Sequence, residues 1–94
     1  MTMVNTVILS RRAMKDLKSM PRHIVDKLET WIDAVERDGL EEVRKIPGYH
    51  DEPLKGDRQG QRSIRLSRSY RAIYVIVKEK IQFAKIEEVS NHEY

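Results

Sequence analysis

Ninety-four residues, with eighteen Lys and Arg against fifteen Asp and Glu, leave room for one domain with a modest core. The absence of cysteine excludes a disulfide framework and cysteine-ligated metal sites, and no apolar run approaches the roughly 20 residues of a membrane helix. The net charge of +3 is unevenly spread: nine basic against eight acidic residues from Met1 to Gly48, six against Asp57 alone from Lys55 to Arg71, and three against four from Ala72 onward. Such clustering is the electrostatic footprint of a polyanion site.

Val4 to Leu9 is β-branched and apolar and predicts a first strand. It lacks the basic start of a secretory leader, so residues 1–94 are expected to form one soluble, cytoplasmic domain without a membrane partner. Ser10 is an N-cap for a helix over Arg11 to Ser19. Pro21 suits the first turn of a second helix, whose apolar face is Ile24, Val25, Leu28, Trp31, Ile32 and Val35, and Gly39 fits a left-handed cap at its end. Leu40 to Ile46 adds a further helical turn, which Pro47-Gly48 breaks, and Tyr49 to Gly60 reads as a polar loop. Gln61 to Ser67 alternates as a strand, with Ile64 and Leu66 on one face and Ser63, Arg65 and Ser67 on the other. Tyr70 to Val77 is the most apolar run and predicts a central strand covered on both faces. Lys78-Glu79-Lys80 is a turn, and Ile81 to Val89 the last strand. The fold class is therefore α+β: a helical hairpin on a small, mainly antiparallel sheet, in the order β-α-α-β-β-β.

Lys55 to Arg71 is thus a basic β-hairpin. Guanidinium forks suit phosphate, although a solvated strand face would carry arginines too. Arg71 stands apart, because it opens the most apolar strand, where an unpaired charge is costly. Glu52, beside the hairpin, is either a paired structural anion or a general base. Of the histidines, His23 falls on a helix surface and His50 in the polar loop as a secondary site residue. His92 ends the last strand next to Tyr94, where an imidazole can exchange a proton and a ring can stack on a base. A base, an acid and positive charge for a phosphorane-like transition state are what RNA cleavage without a metal requires. No spacing resembles a metal cage, a glycine-rich phosphate loop or a serine triad, so no cofactor is expected.

Glu52-Pro53-Leu54-Lys55-Gly56-Asp57-Arg58, Ser63-Ile64-Arg65-Leu66, Tyr70-Arg71-Ala72-Ile73-Tyr74 and His92-Glu93-Tyr94 resemble the RelE superfamily of bacterial toxins, with its RelE, HigB and YoeB branches. The likeness spans nearly the whole chain and implies the RelE-like microbial ribonuclease fold. It also implies the toxin of a type II toxin–antitoxin pair, which cleaves mRNA in the ribosomal A site. By position, the resemblance makes Glu52 the general base, Arg71 the group that steadies the scissile phosphate, and His92 the general acid. Tyr94 becomes the aromatic that orients the base, with Glu93 separating it from His92 where YoeB-like tails have the two adjacent. Lys55, Arg58, Arg62, Arg65 and Arg68 would grip mRNA or ribosomal RNA. The implied partners are a cognate antitoxin protein, mRNA and the ribosome, with operator DNA reached only through the antitoxin complex. Two alternatives share this basic surface: a ParE-like inhibitor of DNA gyrase on the same fold, and a non-catalytic RNA-binding module.

Overall fold

The computed structural model describes residues 3–91. Its strands are β1 (Val7–Leu9), β2 (Glu52–Pro53), β3 (Arg62–Arg65), β4 (Tyr70–Lys78) and β5 (Gln82–Asn91). Its helices are α1 (Arg11–Lys18), α2 (Arg22–Asp38) and α3 (Leu40–Arg44), with 3₁₀ turns at Pro47–Tyr49 and Gly56–Arg58. The predicted order is present, with two additions: Leu40 starts a helix of its own, and Glu52–Pro53 pairs with β3 inside the segment read as loop. A two-residue strand ending in proline carries no alternation by which sequence could reveal it.

The five strands lie in the order β1-β5-β4-β3-β2, so β4 is central, as its apolar run predicts. β1 runs parallel to β5, and every other pair is antiparallel. The helices share one face of the sheet. There Ile24, Leu28 and Trp31 of α2 are buried with Ala72 and Tyr74 of β4 and Ile86 of β5. The Trp31 and Tyr74 rings lie 5.3 Å apart between centroids, at a tilt of 48°. Burial of such side chains contributes about 1.5–3 kcal/mol each.

Gly39 ends α2 by donating its N–H to the Val35 carbonyl at 2.8 Å. Its φ of 89° and ψ of 150° are not the left-handed helical cap expected, but a more extended conformation essentially confined to glycine. That conformation lets Leu40 turn back at once and donate its N–H to the Val4 carbonyl at 2.7 Å.

Two features of β5 shape the opposite face. First, β1 ends at Leu9 and α1 takes over its edge. The Ser10 side chain accepts from Ala13 N–H at 3.0 Å and donates to the Glu87 carbonyl at 2.7 Å, while Asp16 accepts from Val89 N–H at 3.0 Å. Second, the register with β4 shifts between Ile73 and Tyr74: Tyr74 opposes Ile86, but Ile73 opposes Glu88, which leaves Glu87 as an extra residue. This β-bulge reverses the alternation beyond it. Val89 joins the core, and Glu88 and Ser90 turn to the helix-free face.

Candidate functional site

Register alone sets out the helix-free face, because residues directly opposed across strands share a side. One row runs Glu52, Ser63, Ile73, Glu88 across β2, β3, β4 and β5. The next runs Arg65, Arg71, Ser90. Two arginines therefore face each other directly across a strand pair, an arrangement that is repulsive by itself.

The centre of this face is buried, with Arg65 and Ser90 half-buried beside it. Arg71 is only 6% exposed and Ser63 only 1%. The buried Nε and Nη1 of Arg71, the Nε of Arg65 and the hydroxyls of Ser63 and Ser90 have no hydrogen-bond partner among the described residues. Buried polar groups are nearly always satisfied, so a cluster of unused donors around two like charges is an anomaly within the protein alone. An oxyanion with several acceptor oxygens, such as phosphate, would satisfy the donors and offset the repulsion together.

Beside this row lies Glu88, only 5% exposed. One of its oxygens meets Arg12 Nη2 of α1 at 2.8 Å, and the other accepts from Arg58 Nη2. Arg58 comes from the turn before β3 and is steadied by donating Nε–H to Gln61 Oε1 at 2.8 Å. To reach β5 it must span the β4 row that holds Ile73, which is fully buried although it lies on the face without helices. The clamp thus supplies a wall to the arginine row.

Arg62 corrects the sequence reading. It opposes Tyr74, and both side chains belong to the helix side. Arg62 Nε donates to Asp51 Oδ1 at 2.6 Å, and the Tyr74 hydroxyl donates to Asp51 Oδ2 at 2.5 Å. Burial, and then the bond to Asp51, push the Tyr74 hydroxyl well above the ordinary tyrosine range. Arg62 therefore completes a structural triad and faces away from the arginine row.

The remaining expected residues are spread out. Arg58 is committed to Glu88. Lys55 and Arg68 are exposed, in the turn after β2 and in the turn between β3 and β4. Ser67 falls beyond β3 in that same turn, where Leu66 and Ser67 both donate N–H to the Tyr70 carbonyl, at 2.9 and 3.3 Å. Glu52 is exposed on the edge strand, in the row of Ser63. His50 is exposed at a φ of 47°, and its side chain forms no hydrogen bond with the described residues. His92 and Tyr94 lie outside the described residues; in sequence they follow Asn91, the last residue of β5. Among the described residues no three His, Asp or Glu side chains gather to hold a metal ion.

Sequence reasoning missed Glu88, Ser90 and Arg12. One signal was available: the apolar residues Ala84, Ile86 and Val89 break period two at the Glu87-Glu88 doublet, which marks a bulge.

No protein-family model matches the chain, and no curated protein sequence does. Solved structures do. A YoeB/ParE toxin from Agrobacterium tumefaciens is similar at a TM-score of 0.69 and 20% identity, covering 94% of this chain and 99% of that one. YafQ from Escherichia coli is similar at 0.71 and 21%, covering 90% of each chain. The RelBE2 toxin–antitoxin complex of Mycobacterium tuberculosis contains a chain similar at 0.66 and 21%, covering 94% of this chain and 96% of that one. The chain has the fold of these YoeB, YafQ and RelE proteins.

Proposed function

We propose that this chain is the toxin of a type II toxin–antitoxin pair and a metal-independent endoribonuclease that cleaves mRNA in the ribosomal A site. The observation that carries the proposal is the buried Arg71 guanidinium opposite Arg65, its Nε and Nη1 without a partner among the described residues, with the Ser63 and Ser90 hydroxyls on the same face. A scissile phosphate seated there would accept from all four side chains. As the 2′-oxygen attacks phosphorus and the bond to the 5′-oxygen breaks, charge grows on the equatorial oxygens, where preorganised donors act most strongly. The products are a 2′,3′-cyclic phosphate and a 5′-hydroxyl. Glu52, in the neighbouring row, is the proposed acceptor of the 2′-OH proton, and His92 the proposed donor to the leaving 5′-oxygen. Tyr94 is assigned to the substrate base, and Lys55 and Arg68 to its flanking backbone. A protein antitoxin partner is supported by the complexes in which relatives of this fold were solved, RelBE2 and DinJ–YafQ.

The test is primer extension on an mRNA translated in a reconstituted system, with and without ribosomes. The wild-type chain is expected to cut only the translated message, and Arg71→Ala to cut at least about 100-fold more slowly. Cleavage by Arg71→Ala at the wild-type rate, or intact message with the wild-type chain, would overturn the proposal.

A further inference from the structure

The first turn of α1 is charged against the helix dipole, whereas Lys15 and Lys18 lie in its last turn, where the dipole favours cations. Arg11 and Arg12 occupy its first turn with no acidic residue there, where a helix favours anions. Arg11, Lys15 and Lys18 follow at i, i+4 and i+7, which places three exposed cations on one stripe about 10 Å long, like charges beside one another. The one acidic residue of α1, Asp16, does not screen that stripe: it is turned to β5, where it accepts from Val89 N–H at 3.0 Å. No ion pair involves Arg11, Lys15 or Lys18 among the described residues. In α2, by contrast, five acidic residues accompany Arg22, Lys27 and Arg37, and Arg22 pairs with Asp26 at 3.2 Å. The near-cancellation of charge over the first half of the sequence is therefore an average over one basic and one acidic helix.

Local choices that oppose the fold's own electrostatics mark a surface kept for a partner. We propose that the outward face of α1 is a second polyanion-binding surface, which takes the sugar-phosphate backbone of folded RNA lying beside the strand held at Arg65 and Arg71. Arg12 joins the two surfaces through Glu88, so a single anionic partner can lie across both. An acidic protein segment is the competing occupant, but protein docking calls for an apolar centre, and the stripe offers only Met14, 48% exposed. The inference rests on the RNA reading of the arginine row but makes a separate claim about a separate surface.

The test compares the full-length wild type, R11E/K15E/K18E and R65A/R71A. The first variant set removes like charges from a helix surface, and circular dichroism checks that it folds. Two RNAs serve as probes: a single-stranded oligonucleotide of about five residues, non-cleavable through 2′-O-methylation, and the same strand extended by a duplex hairpin. The α1 variant is expected to bind the short strand within about twofold of wild type. On the hairpin probe it should lose at least about tenfold in affinity, with a log–log salt slope shallower by about two to three. Unchanged hairpin affinity and slope overturn the inference. So does loss of binding to a poly-glutamate peptide with RNA binding intact, which would make the face a protein-docking surface. If R65A/R71A leaves short-strand binding untouched, the arginine-row reading fails instead, and a hairpin defect of the α1 variant still supports the inference.

Discussion

Replacing Arg71 with methionine keeps an unbranched apolar stem, shorter than arginine's, and removes the charge and donors. Arg71 is 6% exposed, opposes Arg65 and leaves Nε and Nη1 unpartnered among the described residues. Unsatisfied buried donors cost about 1–3 kcal/mol, and a like-charge pair directly across strands adds about 0.2–1 kcal/mol. Both terms vanish in the variant, so Arg71→Met is expected to be more stable than wild type by about 1–3 kcal/mol. For a domain of this size each kcal/mol moves the melting temperature by about 4–8 °C. Urea and thermal melts at low ionic strength measure the difference. Inorganic phosphate should then stabilise the wild type, by about 1.4 kcal/mol at ten times its dissociation constant, and leave Arg71→Met unmoved. If Arg71→Met were less stable than wild type by more than about 1 kcal/mol, or gained as much from phosphate, the guanidinium would be a satisfied structural group. Arg71 would then not form an anion seat.

Tyr74→Phe is expected to cost about 1–2 kcal/mol near neutral pH, through loss of the bond to Asp51. The unfolded chain releases the tyrosine proton from about pH 10 upward. The fold holds that proton higher. The unfolded state therefore binds fewer protons there, wild-type stability falls by up to about 1.4 kcal/mol per pH unit, and the gap to Tyr74→Phe narrows. A gap that stays constant in urea melts across that window would contradict the assignment. Glu88→Gln should lower stability by about 1–2 kcal/mol, less than a fully buried pair because the Arg12 and Arg58 side chains are 71% and 37% exposed. The same variant should bind short RNA more tightly and with a steeper salt dependence; weaker binding would assign Glu88 to the substrate instead. Gly39→Ala should cost about 1–3 kcal/mol, mainly through backbone strain at φ 89°, since the approach of its Cβ to Met3 Cγ at 3.1 Å meets only a flexible side chain. A melting temperature equal to wild type would show that the turn relaxes without penalty.

The architecture was legible where one local signal spoke alone. Ser10 capped α1, the apolar stripe of Ile24, Leu28 and Trp31 faced the core, and the mainly apolar run from Tyr70 to Val77 became the central strand. Arg71 stood out by contradiction, as a charge in an apolar strand, and it is buried. The arginines of the basic segment were harder to sort. Arg62 and Arg65 differ by an odd step along β3, which sends one to Asp51 and the other to the arginine row. Composition counts both alike.

What the sequence determined by itself is the set of elements and the presence of a basic segment, because periodicity, capping and charge are local properties of the chain. Which charges meet was decided only in three dimensions. The bulge at Glu87 adds one residue to β5, and by that single step moves Val89 inward and turns Glu88 and Ser90 to the face of Arg71. The close of β1 at Leu9 likewise brings α1 against β5, so that Arg12 reaches Glu88 from the far end of the sequence. A strand has period two, so an error of one residue exchanges core for site. Only the pairing of β5 with β4 settles that count.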